Sequence, residues 1–275
     1  MVRGFSGNDR GPGVRDTQDL GHLPARRVAT RRWGTWTGRS SSSTKSSAPP
    51  ESVQGEGPST GRSCAFLRLG GCNLTCTWCD TPYTWDWTGS SESGVAHQPA
   101  DELHPMAVED VTERLTALGT GLVVVSGGEP LSQQERLLPV IQAVRADGRE
   151  VEIETNGTVA PLPELVAAGV RFNVSPKLAH SGVAGRRRLV PGTLTAFNAL
   201  PGTCFKFVCA GPGDLVEVEE LVRAYALDNI WIMPRGQSPE EIAEGLRVLA
   251  DPVVARQWNL TGRLHVTLWG NQRGV

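Results

Sequence analysis

Three cysteines, Cys72, Cys76 and Cys79, fall within eight residues at the spacing C-x3-C-x2-C, and they constrain this chain more than any other feature. Immediately before them runs Cys64-Ala65-Phe66-Leu67-Arg68-Leu69, nearly continuous in apolar side chains and closed by Gly70-Gly71. That is the pattern of a buried strand feeding a loop, so the thiols sit beyond a strand's C-terminal end. A cubane iron–sulfur cluster normally takes four thiolates, and a set of three leaves one iron open to a small molecule. A structural zinc knuckle would instead need four ligands and commonly a second C-x2-4-C pair. Cys204 and Cys209 lie far off in another apolar run, and the nearest histidine, His97, lies in Gly/Ser-rich sequence.

Downstream, apolar runs alternate with helical spacing. Val108, Val111, Leu115 and Leu118 recur as on a helix face, and a strand over 122–125 stops at Ser126-Gly127-Gly128-Glu129-Pro130. A helix through Leu137, Leu138, Ile141 and Val144 follows. Strands are then expected at 151–154, 170–174, 204–209, 230–233 and 264–268, with helices at 162–168, 215–226 and 239–250. Such alternation predicts parallel βαβ units with the site on loops at the C-terminal strand ends. Seven candidate strands are too few to close an eightfold barrel, so the expected α/β fold is an open partial (β/α) barrel of about six or seven strands. A doubly wound sheet would carry G-x-G-x-x-G after its first strand, which is absent here. Residues 83–94, with Trp85 and Trp87, read as irregular surface structure.

A chain of 275 residues can bury one full core. Its net charge of −2 hides two unlike parts: residues 1–50 hold nine Lys/Arg against three Asp/Glu, and the other 225 residues hold 18 against 26. The first part has too few aliphatic groups to offset the entropy of ordering, so 1–50 is expected to be a disordered basic extension and 51–275 the folded domain. Ser46-Ser47-Ala48-Pro49-Pro50-Glu51-Ser52 cannot pair as a central strand, which suggests that the first fifty or so codons follow a wrong start or frame. No apolar run reaches the roughly 20 residues that span a bilayer, and no secretory h-region is present, so a cytoplasmic location is expected. Six cysteines in a chain of this size argue for reduced thiols and a metal cluster. Arg68 interrupts its apolar strand, and a buried guanidinium demands an anion. That anion is either a substrate carboxylate or an internal partner, Glu56 or Asp80.

At the cysteine loop the chain resembles the radical S-adenosylmethionine enzymes. Arg68-Leu69-Gly70-Gly71-Cys72-Asn73-Leu74 and Trp78-Cys79-Asp80-Thr81 are similar to one branch of them, the 7-carboxy-7-deazaguanine synthases. Val53-Gln54-Gly55-Glu56-Gly57, Ser126-Gly127-Gly128-Glu129-Pro130, Glu154-Thr155-Asn156-Gly157-Thr158, Ser175-Pro176-Lys177 and Leu268-Trp269-Gly270-Asn271 through Val275 recur in that family in this order. The resemblance implies a [4Fe-4S] cluster on Cys72, Cys76 and Cys79. It places S-adenosylmethionine on the open iron beside Trp78, Cys79, Asp80, Gly128, Ser175, Pro176 and Lys177, with Mg2+ at Thr81. The substrate site it implies comprises Val53, Gln54, Gly55, Glu56, Arg68, Ser126 and the carboxylate of Val275. The implied reaction starts from a 5′-deoxyadenosyl radical. It takes hydrogen from C6 of 6-carboxy-5,6,7,8-tetrahydropterin, contracts the ring and releases ammonia, on the route to queuosine and other 7-deazapurines. An external electron donor such as flavodoxin or ferredoxin and a homodimer are implied too, with no need of a membrane or nucleic acid.

Gly127-Gly128 by itself permits close backbone approach, Gln54 and Glu56 offer the hydrogen-bonding edges that the pterin implied by the resemblance requires, and Trp78 either covers the cofactor or simply packs. Lys177 alone reads as a solvated lysine. A radical activase that places a glycyl radical on a partner protein shares the cysteine loop but needs neither Gln54-Gly55-Glu56 nor Arg68.

Overall fold

The apolar run before the cysteines does form a strand, and the sheet grows outward from it. In the computed structural model, which describes residues 27–31 and 51–273, ten strands form one sheet. They are β1 (Arg27–Arg31), β2 (Glu51–Val53), β3 (Ser63–Leu69), β4 (Leu103–Ala107), β5 (Leu122–Gly127), β6 (Glu150–Thr155), β7 (Arg171–Val174), β8 (Cys204–Cys209), β9 (Ile230–Pro234) and β10 (Asn259–Leu260). Their order is β10-β9-β8-β7-β6-β5-β3-β1-β4, with β2 also paired to β3. The seven strands from β3 to β10 in that order run parallel. β1, β2 and β4 add antiparallel pairing on the β3 side. The two ends of the order do not pair, so the sheet stays open.

Period-two alternation divides the sheet into two unlike faces. Leu67 and Leu69 of β3, Val123 and Val125 of β5, Phe172 of β7 and Phe205 and Phe207 of β8 are buried in one core. Helices Val108–Thr116, Gln134–Ala146, Pro163–Ala167, Pro191–Asn198, Leu215–Tyr225 and Pro239–Val254 cover that face, contributing Leu115, Leu137, Ile141, Phe197, Leu215 and Leu249 among others. Each such side chain removed from water is worth about 1.5–3 kcal/mol. The intervening residues are Arg68, Ser126, Glu154 and Lys206, and they line a cleft. Parallel strands are ordinarily apolar on both faces. A polar second face is therefore the feature that locates the site.

The structure departs from the sequence reading in four places. The alternation of Leu264, Val266 and Leu268 predicts a strand, but the segment is a helix, Leu264–Trp269. Asn259–Leu260 already holds the place beside β9. Of the three side chains only Val266 is buried, and Leu264 donates its backbone N–H to the Gly55 carbonyl at 2.9 Å, so the segment docks across the cleft instead of extending the sheet. Residues 83–94 are not simply surface: Tyr83, Thr84, Asp86 and Ser91 are buried. Asp86 accepts from the backbone N–H groups of Ser90 (2.9 Å) and Ser91 (2.7 Å). Burial would raise its carboxyl, yet the bonds from Ser91 and Ser90 hold it below the usual carboxylate range. Glu51–Val53 pairs with β3, which an edge position allows despite the prolines before it. Finally, Arg27–Arg31, inside the stretch expected to be unordered, runs as a strand pairing with β4 from Arg27↔Ala107 to Arg31↔Leu103. The rest of 1–50 and the wrong-frame expectation lie outside the described residues.

Candidate active site

A cleft of about 1870 Å³ opens over the polar face. Cys72, Cys76 and Cys79 line it together with Trp78, Asp80 and Thr81. The loop that carries them is braced from below by the turn after β5. Gly128 donates its N–H to Leu69 O at 3.0 Å and Glu129 donates to Gly71 O at 2.8 Å. A Cβ on Gly128 would lie 1.8 Å from Gly71 O, and one on Gly127, whose φ is +140°, would lie 2.1 Å from Leu69 O. The close approach that these glycines allow is thus to the cysteine loop's own backbone. Glu129, fully buried, accepts from Leu131 N (3.0 Å), Thr155 Oγ1 (2.8 Å) and Asn156 N (2.7 Å), tying the turns after β5 and β6 together. Burial raises its carboxyl even so. Asn156 Nδ2 then donates to Asn73 Oδ1 at 2.8 Å, inside the cysteine loop. Gly128→Ala should therefore displace the loop, lowering the thermal midpoint of the iron-free protein by an amount equivalent to about 1–3 kcal/mol and reducing reconstituted iron. Unchanged stability and iron content would contradict this bracing.

All six cysteines are free. Burial pushes the Cys72 thiol up to about 12 and raises those of Cys76 and Cys79, so binding a metal here must release protons. Beside the thiols, the Trp78 ring stacks on His180 with centroids 5.3 Å apart, and the Lys177 ammonium (5.8 Å) and Arg235 guanidinium (6.0 Å) approach its face. Trp78 Nε1 is buried with no hydrogen-bond partner among the described residues. Lys177 donates to Ser175 Oγ at 3.0 Å and lines the cleft, so it is not simply a solvated lysine.

A connected set of charges lines the same cleft. Lys206 of β8, nearly fully buried, reaches Glu56 Oε2 at 2.5 Å and Glu154 Oε1 at 3.3 Å. Arg263 pairs with Glu56 Oε1 at 3.0 Å and with Asp80. Burial works against every charge here, but Lys206 and Arg263 hold Glu56 well below the usual carboxylate range, and the two glutamates hold Lys206 above the usual lysine value. Burial lowers the imidazole of His265, which lies against Gly55. Gln54 donates to Glu154 Oε1 at 3.3 Å and accepts from Glu56 N at 3.2 Å. Gln54 and Glu56 are thus pinned inside the network and keep only their remaining hydrogen and lone pairs for a ligand.

Arg68 differs from these groups. In register it stands beside Ser126, whose Oγ accepts from Nη1 at 3.2 Å and donates to Glu154 Oε2 at 3.3 Å. The carboxylates proposed as its internal partners are engaged elsewhere, Glu56 by Lys206 and Arg263 and Asp80 by Arg263. Among the described residues no carboxylate pairs with Arg68. Its guanidinium lies over the Phe66 ring at 5.7 Å and lines the cleft.

Of the residues that the sequence singles out, Gln54, Glu56, Arg68, the three cysteines, Trp78, Asp80, Thr81, Ser126, Gly128, Ser175 and Lys177 all line this one cleft. Val53, Gly55 and Pro176 do not: Val53 ends β2, and Gly55 is covered by the helix Leu264–Trp269. Val275 lies outside the described residues. Lys206, Arg263 and His265 were not anticipated. Lys206 carries the signal that exposed Arg68, a lone cation inside an apolar strand, Cys204-Phe205-Lys206-Phe207-Val208-Cys209.

Residues 67–193 match the Radical SAM superfamily. The fold aligns with the crystal structure of QueE from Escherichia coli at a TM-score of 0.60 and 23% identity, over 87% of this chain and 95% of that one. Fold and cysteine loop together define a radical S-adenosylmethionine protein built on an open partial (β/α) barrel, the class whose cofactors are a [4Fe-4S] cluster and S-adenosylmethionine. The residues fit that cofactor, since three free thiols on one loop face one cleft and Cys64, Cys204 and Cys209 do not line it. The chain is 40% identical over 228 residues to the 7-carboxy-7-deazaguanine synthase of Pyrobaculum aerophilum, covering 81% of this chain and 93% of that protein. It is 34% identical over 221 residues to the one from Hyperthermus butylicus, covering 78% and 88%. The chain belongs to the 7-carboxy-7-deazaguanine synthase family.

Proposed function

We propose that this chain is a carbon–nitrogen lyase that converts 6-carboxy-5,6,7,8-tetrahydropterin to 7-carboxy-7-deazaguanine with loss of ammonia, in 7-deazapurine and queuosine synthesis. The observation that carries this reading is the guanidinium of Arg68, which among the described residues has no carboxylate partner and lines the same cleft as the three thiols, while Glu56, Lys206 and Arg263 there are already matched. Its fork suits a carboxylate, and the substrate bears one.

When bound at Cys72, Cys76 and Cys79, the cluster and S-adenosylmethionine supply one-electron cleavage chemistry and with it a hydrogen-abstracting carbon radical. The chain's own residues position and shield the reaction. Arg68 takes the substrate carboxylate, and Ser126 fixes the plane of its guanidinium. Glu56, kept ionised by Lys206 and Arg263, and Glu154 beside it accept from ring N–H groups, while the free hydrogen of Gln54 Nε2 reaches a ring acceptor. Lys206 holds its proton and keeps two carboxylates side by side without mutual repulsion. Trp78, Ser175, Lys177 and Asp80 flank the nucleoside, and Thr81 contributes a hydroxyl oxygen to Mg2+, a cation that prefers such donors.

The thiols require a reducing compartment, so we place the enzyme in the cytoplasm. No helix among the described residues is long and apolar enough to cross a membrane. The enzyme works as a homodimer and takes electrons from a flavodoxin or ferredoxin. Anaerobic turnover of the carboxypterin, followed by mass spectrometry, tests the proposal. A product lighter by one ammonia, with S-adenosylmethionine not consumed in proportion, is expected. Intact substrate beside steady cofactor cleavage would overturn it and return the activase reading.

A further inference from the structure

The outer side of the cysteine loop rests on a segment that the reaction leaves unexplained. Val183 packs with Leu74 and Cys76, Thr77 donates its N–H to Ser181 O at 3.0 Å, and Arg187 Nη2 donates to Asn73 O at 2.8 Å. Ser181, Val183, Arg187 and Asn73 do not line the cleft, so this support holds the loop from outside the cleft. It leads into the single-turn helix Gly185–Arg188, whose sequence is Gly-Arg-Arg-Arg. The three arginines have different fates. Arg188 is buried, paired with Glu217 at 2.8 Å and donating to Lys177 O at 2.6 Å. Arg186 and Arg187 are exposed, and among the described residues neither has a carboxylate partner.

We propose that Arg186 and Arg187, held against the outside of the cysteine loop, form the docking surface for an acidic protein that carries one low-potential electron. This rests on the reading of the loop as a radical S-adenosylmethionine site. Two observations carry the proposal. The first is location: Asn73, which Arg187 contacts, is bonded directly to Cys72, so a carrier seated on this pair stands one residue from a thiol without entering the cleft. The second is charge. Arg186 and Arg187 put two positive charges side by side on a domain, residues 51–275, whose side chains are otherwise mostly acidic, 26 against 18 basic, so on this domain an acidic partner is drawn to the pair. In the step itself one electron leaves the carrier, which is oxidised by one, and enters the site bounded by Cys72, Cys76 and Cys79, which is reduced by one. No bond forms or breaks, and no proton moves.

The test uses the full chain, with and without reconstituted iron, and reduced ferredoxin as the probe. Association is measured by biolayer interferometry across ionic strength. For Arg186→Glu/Arg187→Glu the association constant at low salt should fall at least about 10-fold. The difference should shrink as salt shortens the screening length. Arg186→Lys/Arg187→Lys should bind nearly as the parent does. In turnover the glutamate variant should be slow with ferredoxin and unchanged with dithionite. Equal ferredoxin binding by parent and variant would overturn the proposal, as would equal loss with both reductants at unchanged iron content. If the double variant loses iron, Arg186→Glu alone decides, because it keeps the Arg187 bond to Asn73. If the parent yields no deazapurine with dithionite, the proposed reaction fails instead, and the binding result is unaffected.

Discussion

Lys206→Met is expected to lower stability by about 3–5 kcal/mol, near 10 °C in thermal midpoint. The loss is large because the substitution leaves Glu56 and Glu154 close together in a buried site, with Arg263 and the more distant His265 left beside Glu56. An uncompensated buried charge costs more than the pair ever contributed. A second change, Glu56→Gln, should recover part of the loss in the double variant, and thermal unfolding of the four proteins of the cycle measures that coupling. The pH profile has a definite sign. Glu56 is depressed in the folded state, so its contribution is complete above the unfolded carboxylate value of about 4.3 and fades as pH falls below that. Lys206 is raised, so its share is complete below about 10.4 and fades above it. The parent should therefore lose stability at both ends, and Lys206→Met should show a flatter profile. Equal profiles would mean that the network is not ionised as described.

Arg68→Ala is expected to cut kcat/KM by at least about 100-fold while leaving iron content and thermal midpoint close to those of the parent. Two charge-assisted hydrogen bonds to a carboxylate are worth roughly 3–4 kcal/mol, and each 1.4 kcal/mol is a factor of ten. Stability should hold because Arg68 has Ser126 Oγ as its hydrogen-bond partner and, among the described residues, no ion pair to lose. Arg68→Lys should not restore activity, since an ammonium lacks the fork that meets both carboxylate oxygens. A variant that loses iron along with activity would instead make Arg68 a structural group.

The parts of this protein that the sequence made legible are those where the chemistry is local. The strand Ser63–Leu69, its three thiols and the Gly-Gly turn after β5 lie within short windows, and each window carries its own periodicity or spacing. Where partners lie far apart along the chain, the sequence was silent. Arg263 reaches Glu56 and Asp80, 207 and 183 positions away, and nothing near Arg263 announces either. Lys206 does carry a local signal, a lone cation between two phenylalanines of an apolar strand, but its partners Glu56 and Glu154 are visible only in the fold. The segment 264–268 alternates as a strand does, but two residues of β10 had already closed that edge, a fact of tertiary structure that no local pattern contains. Gln54 and Glu56 line the cleft, and their internal bonds emerge only from the fold.

The claim on which all of this depends is that Cys72, Cys76 and Cys79 hold a cluster with one iron left for the substrate-side ligand. Electron paramagnetic resonance of the reduced, iron-reconstituted protein, recorded with and without S-adenosylmethionine, tests it most directly. The expected result is a [4Fe-4S] signal whose g values shift when S-adenosylmethionine is added. A signal that S-adenosylmethionine leaves unchanged would contradict the account.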